Sequence, residues 1–330
     1  MKNALVTGAS GFTGQHLCRA LAGRGYRVRA LARRSSRIEP LKALDIEWVF
    51  GDLCEPATIA GAARGIDVVF HIAALYRQEG VAKPQFHRVN VDGTRAIIEE
   101  SVAASVGRIV HCSTVGVQGE IKHPPADESV PYAPGDHYQI SKVEGEKLAL
   151  QTHEEGRADV VVVRPVGIYG PGDTRFLKLF KWVDSGKFRM IGDGRVLYHL
   201  TFVEDLVRGI ILAAETPGAS GRIYTLGGEE YVELNELVRL IAGILDRPLS
   251  RRRLPLWPVY AAAWACELIC RPLGIEPPLY RRRLDFFTKD RAFDISRAKN
   301  ELGYRPGVPL AEGLRLTSDW YRRTGLLNPR

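Results

Sequence analysis

No run of this 330-residue chain reaches the about 18 consecutive apolar residues of a membrane-spanning helix. Cysteine is scarce and odd in number: Cys18, Cys54, Cys112, Cys266 and Cys270. None has the spacing of a metal site, and Cys266 and Cys270 lack a second pair or a histidine nearby, so no metal is expected and all five read as reduced thiols. Internal repeats and low-complexity tracts are absent. So is room for a secretory leader, because Met1-Lys2-Asn3 runs straight into an apolar strand and a glycine turn. A cytoplasmic protein is expected. Acids are in deficit, 38 against 46 bases, for a net charge of +8. A basic excess suits nucleic acid, yet the arginines gather in two places with other uses. Arg27, Arg29, Arg33, Arg34 and Arg37 follow the first glycine turn, and Arg251–Arg253 and Arg281–Arg283 flank an apolar segment. A generally basic soluble enzyme with no nucleic-acid partner is the reading taken.

What is present is ordinary for a globular chain, 45% hydrophobic and 25% charged, and long enough for two lobes. Ala4-Leu5-Val6 reads as a buried strand. It enters Thr7-Gly8-Ala9-Ser10-Gly11-Phe12-Thr13-Gly14, and Gln15 to Gly23 follows as a helix. Strand, glycine turn and helix form a pyrophosphate cradle: the glycines allow close backbone approach, and the helix start offers free N–H groups. Gly8, Ser10, Gly11, Phe12, Thr13 and Gly14 are therefore expected cofactor contacts. The second strand, Arg27 to Ala32, ends in Arg33-Arg34-Ser35-Ser36-Arg37, where a cofactor lacking a 2′-phosphate would meet an acid. Arg33 and Arg34 suit a ribose 2′-phosphate, so NADP is favoured over NAD; a solvated arginine loop is the other reading.

Strand-like runs then alternate with helical ones. Residues 47–50 precede Gly51-Asp52-Leu53, 67–72 precede Ala73-Ala74, 108–112 precede Ser113-Thr114, and 159–163 precede Arg164-Pro165. This predicts an α/β fold with a doubly wound parallel sheet, its ligands beyond the carboxyl ends of the strands. Residues 90–105 and 138–151 read as long helices, able to pair with a second subunit in a homodimer or to pack internally. The pattern changes near residue 170. Residues 1–169 form the expected dinucleotide-binding domain and 170–330 mainly a substrate lobe, with about 195–225 returning to the first. Helices are expected at 175–187, 204–215 and 231–246. The apolar stretch 254–273 suits a lid over an apolar substrate or packing in the second lobe; peripheral contact with a membrane surface is the minor reading.

Tyr138-Gln139-Ile140-Ser141-Lys142, if helical, puts a phenol and an ammonium one turn apart on one face. Most such pairs decorate a solvated face. In a partly dry site the cation stabilises the phenolate, and moving a tyrosine from about 10 to about 7 needs roughly 4 kcal/mol.

With the glycine turn, Ser113-Thr114 and the Tyr138–Lys142 pair together, the chain resembles the extended short-chain dehydrogenases, the NAD-dependent epimerase/dehydratase family, from Met1 to about Leu326. His71-Ile72-Ala73-Ala74, Asn90-Val91-Asp92-Gly93-Thr94, Arg164-Pro165, Tyr169-Gly170-Pro171-Gly172 and Phe293–Lys299 add to the likeness. The resemblance implies that Tyr138 exchanges a proton with the substrate oxygen and that Lys142 lowers its pKa and holds the nicotinamide ribose. It implies that Thr114 hydrogen-bonds the reacting carbonyl, with Ser113 as neighbour or substitute. Asp52 and Leu53 would meet adenine, Ala73 and Ala74 would run along the cofactor, and Asn90, Pro165 and Ile168 would complete its site. Three departures choose among branches. Val115 stands where dehydratases and decarboxylases carry an acid, and Gly167 and Tyr198 stand where sugar-nucleotide epimerases commonly carry Asn and Arg. The stretch from Asp127 to Tyr138 and the apolar C-terminal segment look more like the hydroxysteroid dehydrogenase and dihydroflavonol reductase branch. An NADP-preferring alcohol dehydrogenase or ketone reductase acting on a small apolar molecule is the first expectation. A nucleotide-sugar epimerase with tightly bound cofactor is the second. A non-catalytic redox-sensing or nucleic-acid-binding relative is the third, opposed by the intact Thr114, Tyr138 and Lys142.

Overall fold

The computed structural model describes residues 2–76, 81–250, 252–270 and 281–328. Arg251 of the arginine cluster and residues 271–273 of the apolar segment lie outside the described residues. In chain order the strands are β1 (Asn3–Thr7), β2 (Arg27–Ala32), β3 (Ile46–Phe50), β4 (Val68–His71), β5 (Arg108–Cys112), β6 (Val160–Pro165), β7 (Gly167–Tyr169), β8 (Met190–Ile191), β9 (Leu197–Phe202), β10 (Ile223–Leu226), β11 (Tyr231–Glu233) and β12 (Arg253–Leu254). The helices are α1 (Phe12–Gly23), α2 (Lys83–His87), α3 (Gly93–Ala103), α4 (His137–Glu154), α5 (Leu177–Asp184), α6 (Val203–Glu215), α7 (Leu234–Leu245), α8 (Leu256–Cys270), α9 (Arg281–Thr288), α10 (Ser296–Leu302) and α11 (Leu310–Arg323).

Seven strands build one sheet in the order β10-β6-β5-β4-β1-β2-β3, every pair parallel. Such a sheet must be covered on both faces, and continuous apolar strands supply the surface: Val160 to Val163 are all fully buried. On one face Leu17 and Leu21 of α1, Leu206 and Ile210 of α6, and Leu302 of α10 pack against Val6, Phe70 and Val163. On the other, Ile97 and Ile98 of α3 and Ala149 of α4 pack against Leu5, Val69 and Ile109. β1 has β2 on one side and β4 on the other, and the chain crosses from β3 at the edge back past β1 to β4, reversing the direction of winding. That reversal opens a crevice beyond their carboxyl ends, the place where doubly wound sheets bind ligands. A second core joins α5, α7 and α11 to β9, through residues such as Phe180, Leu237, Leu314 and Tyr321. There β9 pairs with β7 in parallel and with β11 in antiparallel fashion.

Two expected helices are corrected by the structure, and the apolar stretch takes a definite form. The segment 231–246 begins as strand β11, with Tyr231 opposite His199 and Val232 opposite Tyr198; only from Leu234 does helical burial take over, on Leu234, Leu237, Val238 and Ile241. The free edge of β9 outcompetes helix propensity for those first residues. The segment 90–105 starts as a π-helical stretch, Arg88–Asp92, before α3. Its wider turn leaves room for α4, since a Cβ on Gly145 would sit 2.6 Å from the Asn90 carbonyl oxygen. The apolar stretch resolves into strand β12 and helix α8. On α8, Ala263 and Glu267 are buried while Trp257, Trp264, Leu268 and Ile269 are exposed. Among the described residues no helix is long and apolar enough to cross a membrane.

Candidate active site

A cleft of about 520 Å³ opens at the carboxyl ends of β1, β4, β5 and β6. Its walls include Gly11, Phe12, Thr13, Gly14, Ala74, Ser113, Thr114, Tyr138, Lys142, Pro165 and Ile168. Residues from five separate stretches thus meet in one place. At the floor, the glycine turn is built for close approach. Gly8 has φ of +70°, and a Cβ there would come within 2.8 Å of Ala73; a Cβ on Gly14 would overlap the Gly8 carbonyl oxygen. The Gly11 N–H is spent on the Gly8 carbonyl at 3.0 Å, and Gly11 caps α1 without a side chain. The first-turn N–H groups of α1 therefore remain for an anion, as a pyrophosphate cradle requires. Ser10 sits in the same turn, its carbonyl held by Gln15 at 2.9 Å.

Ser113 and Thr114 come from the end of β5, and Tyr138 and Lys142 from the start of α4. Asp136 caps α4 through Gln139 N–H at 2.8 Å, which sets the helix phase that brings Tyr138 and Lys142 to the cleft. Lys142 is buried and donates from Nζ to the Cys112 carbonyl at 2.8 Å. Burial lowers its pKa, opposed by Cys112 and Glu146. Tyr138 is also buried, with Tyr76 edge-on at 5.1 Å between ring centroids. Thr114 accepts the Gly116 N–H at 3.1 Å through Oγ1, which leaves its own hydroxyl proton to donate. Ser113 is placed differently. Its hydroxyl donates to Glu146, a fully buried carboxylate that also accepts from Tyr132 at 2.8 Å and pairs with buried Arg164 at 2.6 Å. Ser113 lines the cleft, but its proton is committed to this cluster.

Several other expected contacts lie outside the cleft wall. Asn90 is buried and spends its side chain on the Leu75 backbone (2.7 and 3.1 Å) and on Ser141 (2.9 Å), so it shapes the loop after β4 from behind. Ala73 is held by Thr7 Oγ1 at 3.2 Å. Thr7 and Thr94 also clamp the two nitrogens of His71, at 2.8 and 2.9 Å. Thr94 donates to the Asn90 carbonyl, so it can only accept from His71; the network selects the neutral ring with its proton on Nε2. Burial, with Lys142 second, pushes His71 down to about 3. Asp52 and Leu53 follow β3, with the Asp52 carboxylate on the Cys54 N–H at 2.9 Å and Leu53 against Gly93. Arg33 and Arg34 are exposed just past β2, and among the described residues neither guanidinium has a hydrogen bond or ion pair.

Sequence reasoning missed Tyr76, Gln139, Arg175, Arg291 and Phe293, all in the cleft wall. Arg175 pairs with Asp173 at 2.5 Å, and its guanidinium lies 5.5 Å from the Phe12 ring centroid and 5.7 Å from that of Tyr76. Those partners are far apart in sequence, so no local pattern announces them. The cleft continues into a larger chamber of about 1030 Å³ walled by residues such as Leu179, Trp182, Ile191, Leu284, Phe286 and Phe287. Tyr76, Val115, Gly167, Ile168, Arg175, Arg291 and Phe293 are common to both.

The family model of the NAD dependent epimerase/dehydratase family matches residues 4–227. The chain belongs to that family. The 2-alkyl-3-oxoalkanoate reductase of Stenotrophomonas maltophilia is 32% identical over 326 residues, covering 94% of this chain and 97% of the relative. The 3-beta-hydroxysteroid dehydrogenase of Mycolicibacterium neoaurum is 32% identical over 319 residues, covering 92% and 86%. Among solved structures, a dTDP-glucose 4,6-dehydratase from Streptomyces venezuelae with NAD bound superposes with a TM-score of 0.79 at 28% identity, covering 99% of each chain. The chain is thus an enzyme of the extended short-chain type, with a Rossmann sheet, in an NAD-dependent family whose members include reductases, hydroxysteroid dehydrogenases and dehydratases. The glycine cradle fits the family's dinucleotide, because side chains at Gly8 or Gly14 would fill the space or distort the turn that receives it.

Proposed function

We propose that this enzyme interconverts a secondary alcohol and a ketone on an apolar small molecule, with NADP preferred over NAD. The observation that carries the reading is the meeting of Thr114, Tyr138 and Lys142 in one cleft that opens into an apolar chamber. When bound, the nicotinamide exchanges a hydride with the substrate carbon. Tyr138 moves the matching proton at the substrate oxygen, and the Thr114 hydroxyl fixes that oxygen by donating to it. The Lys142 ammonium favours the phenolate of Tyr138 and is itself oriented by the Cys112 carbonyl. Gly11 to Gly14 receive the pyrophosphate, and the unpartnered Arg33 and Arg34 offer guanidinium donors to a 2′-phosphate.

Sugar-nucleotide chemistry fits the walls less well. A Cβ at Gly167 would come within 2.6 Å of Leu200 Cδ2, so an asparagine there would have to displace the Leu200 side chain. Val115 supplies no acid beside Thr114. Relatives named for an oxoalkanoate and a hydroxysteroid act, by those names, on largely apolar ketones or alcohols. The test is a screen of apolar ketones for NADPH consumption, followed by Tyr138→Phe. The variant should keep NADPH affinity and lose about 100-fold or more in kcat. Near-normal turnover in it would refute the assignment. Cofactor retained through purification, with no net consumption and with interconversion of nucleotide sugars, would replace it by an epimerase.

A further inference from the structure

The described charges in the wall of the large chamber are of one sign: Arg175, Lys178, Lys187, Arg189, Arg283 and Arg291 line it, and no Asp or Glu does. Most of these belong to the rim or to other contacts. Lys187 and Arg189 are exposed, Lys178 lies over the exposed Trp182, and Arg175 has Asp173 as its counter-charge. Arg291 differs. Like Arg175 it lies in the wall of both cleft and chamber, but it is half-buried where Arg175 is exposed. Its Nη1 donates to the Tyr198 hydroxyl at 2.8 Å and to the Lys289 carbonyl at 3.1 Å, and its Nη2 donates to the Asp285 carbonyl at 3.0 Å. The guanidinium lies 5.2 Å from the centroid of the Tyr198 ring. All of these partners are neutral, and among the described residues no carboxylate pairs with it.

A half-buried cation with no counter-charge is costly unless a ligand completes it. Here the guanidinium is also held rigid, by three oxygens and a ring. Of its five N–H donors, Nη1 has used both and Nη2 one. The Nε–H and the second Nη2–H remain, the fork that meets the two oxygens of a carboxylate. The same wall carries Leu284, Phe286, Phe287 and Phe293. We propose that the substrate is an amphiphilic anion, an apolar alcohol or ketone carrying a carboxylate close to the reacting carbon, and that Arg291 binds that carboxylate. This rests on the carbonyl–alcohol reading above. Tyr198 then acts as the platform for the cation, which comes from the adjoining segment across the Tyr198–Arg291 bridge.

The experiment compares a charged and a neutral member of one pair, 3-hydroxydecanoate and its methyl ester, as substrates for oxidation with NADP. Arg291→Met should lower kcat/KM for the acid by about 100-fold, mainly through KM, and change the ester less than about threefold; Arg291→Lys should recover part of the loss. Equal losses for acid and ester overturn the proposal. Calorimetric titration of the wild-type protein with NADP bound reads the same site without turnover or substitution. Decanoate should bind at least about tenfold more tightly than decanamide, and equal affinity overturns the proposal. Turnover of neither alcohol counts against the carbonyl–alcohol reading, and the calorimetric comparison then still decides the carboxylate site. Tighter binding of decyl phosphate than of decanoate would assign the cation to a phosphate and overturn the carboxylate.

Discussion

Lys142 of α4 and the Cys112 carbonyl at the end of β5 are joined by a 2.8 Å hydrogen bond. The bond ties the helix carrying Tyr138 to the strand that delivers Thr114, so one ammonium braces both halves of the proposed proton-handling site. Removing it takes the cation from beside the phenol and leaves a buried carbonyl without its donor. Lys142→Met should therefore reduce kcat by roughly 100-fold or more. Steady-state kinetics at several pH values should show the remaining activity rising toward alkaline pH, as the phenol reverts to its ordinary titration. An unchanged pH profile would count against the coupling.

The neighbouring hydroxyls should separate under substitution. Thr114→Val removes the free hydroxyl donor together with the oxygen that accepts the Gly116 N–H; it should cost about 10- to 100-fold in kcat/KM and about 1 kcal/mol of stability. Ser113→Ala instead deprives the buried Glu146 carboxylate of one of its donors. It should cost roughly 1–3 kcal/mol of stability while leaving kcat within several-fold. Thermal melts and turnover measured on both variants check this. The reverse pattern would make Ser113 the substrate contact.

Cofactor choice rests on an exposed loop. Arg33→Ala should raise KM for NADPH by about tenfold and leave KM for NADH nearly unchanged, because only the former presents a 2′-phosphate. Kinetics with both cofactors read the ratio; a constant preference removes the phosphate argument.

Acid should destabilise the fold before its carboxylates titrate. His71 titrates near 3 in the folded state against an ordinary 6.5, and burial holds His111 well below 6.5 as well, with Lys142 and His71 adding to the shift. Above pH 6.5 both states are neutral at these positions and stability is flat. Below it, the unfolded chain binds protons that the folded chain refuses. Stability then falls by roughly 1.4 kcal/mol per pH unit for each such ring, until the folded-state value is reached. Urea unfolding between about pH 5 and 7.5 should report uptake of more than one proton on unfolding. A flat profile over that window would contradict the buried neutral histidines.

Much of the first domain was legible because its signals are local. The glycine turn, Arg108–Cys112 and Arg27–Ala32 each announce themselves within a few residues, since a parallel strand buried on both faces needs a continuous apolar run and a pyrophosphate cradle needs glycine at set intervals. The second lobe was less legible. Strand β11 forms because β9 has an edge to fill, and nothing in Tyr231-Val232-Glu233 alone says so. Asn90 illustrates the same limit at the site: its motif marks it, but whether its amide faces a ligand or the Leu75 backbone depends on a loop it meets only on folding.

By itself, then, the sequence determined the class of the fold and the pairing of Tyr138 with Lys142 on one helix face, because one helical turn suffices to align them. Tertiary structure decided what surrounds them. Ser113 turned toward a buried carboxylate, and Arg291 came to rest on the Tyr198 ring at the mouth of an apolar chamber. These relationships join residues many positions apart through packing and charge, and so they exist only once strands and helices distant in sequence have packed together.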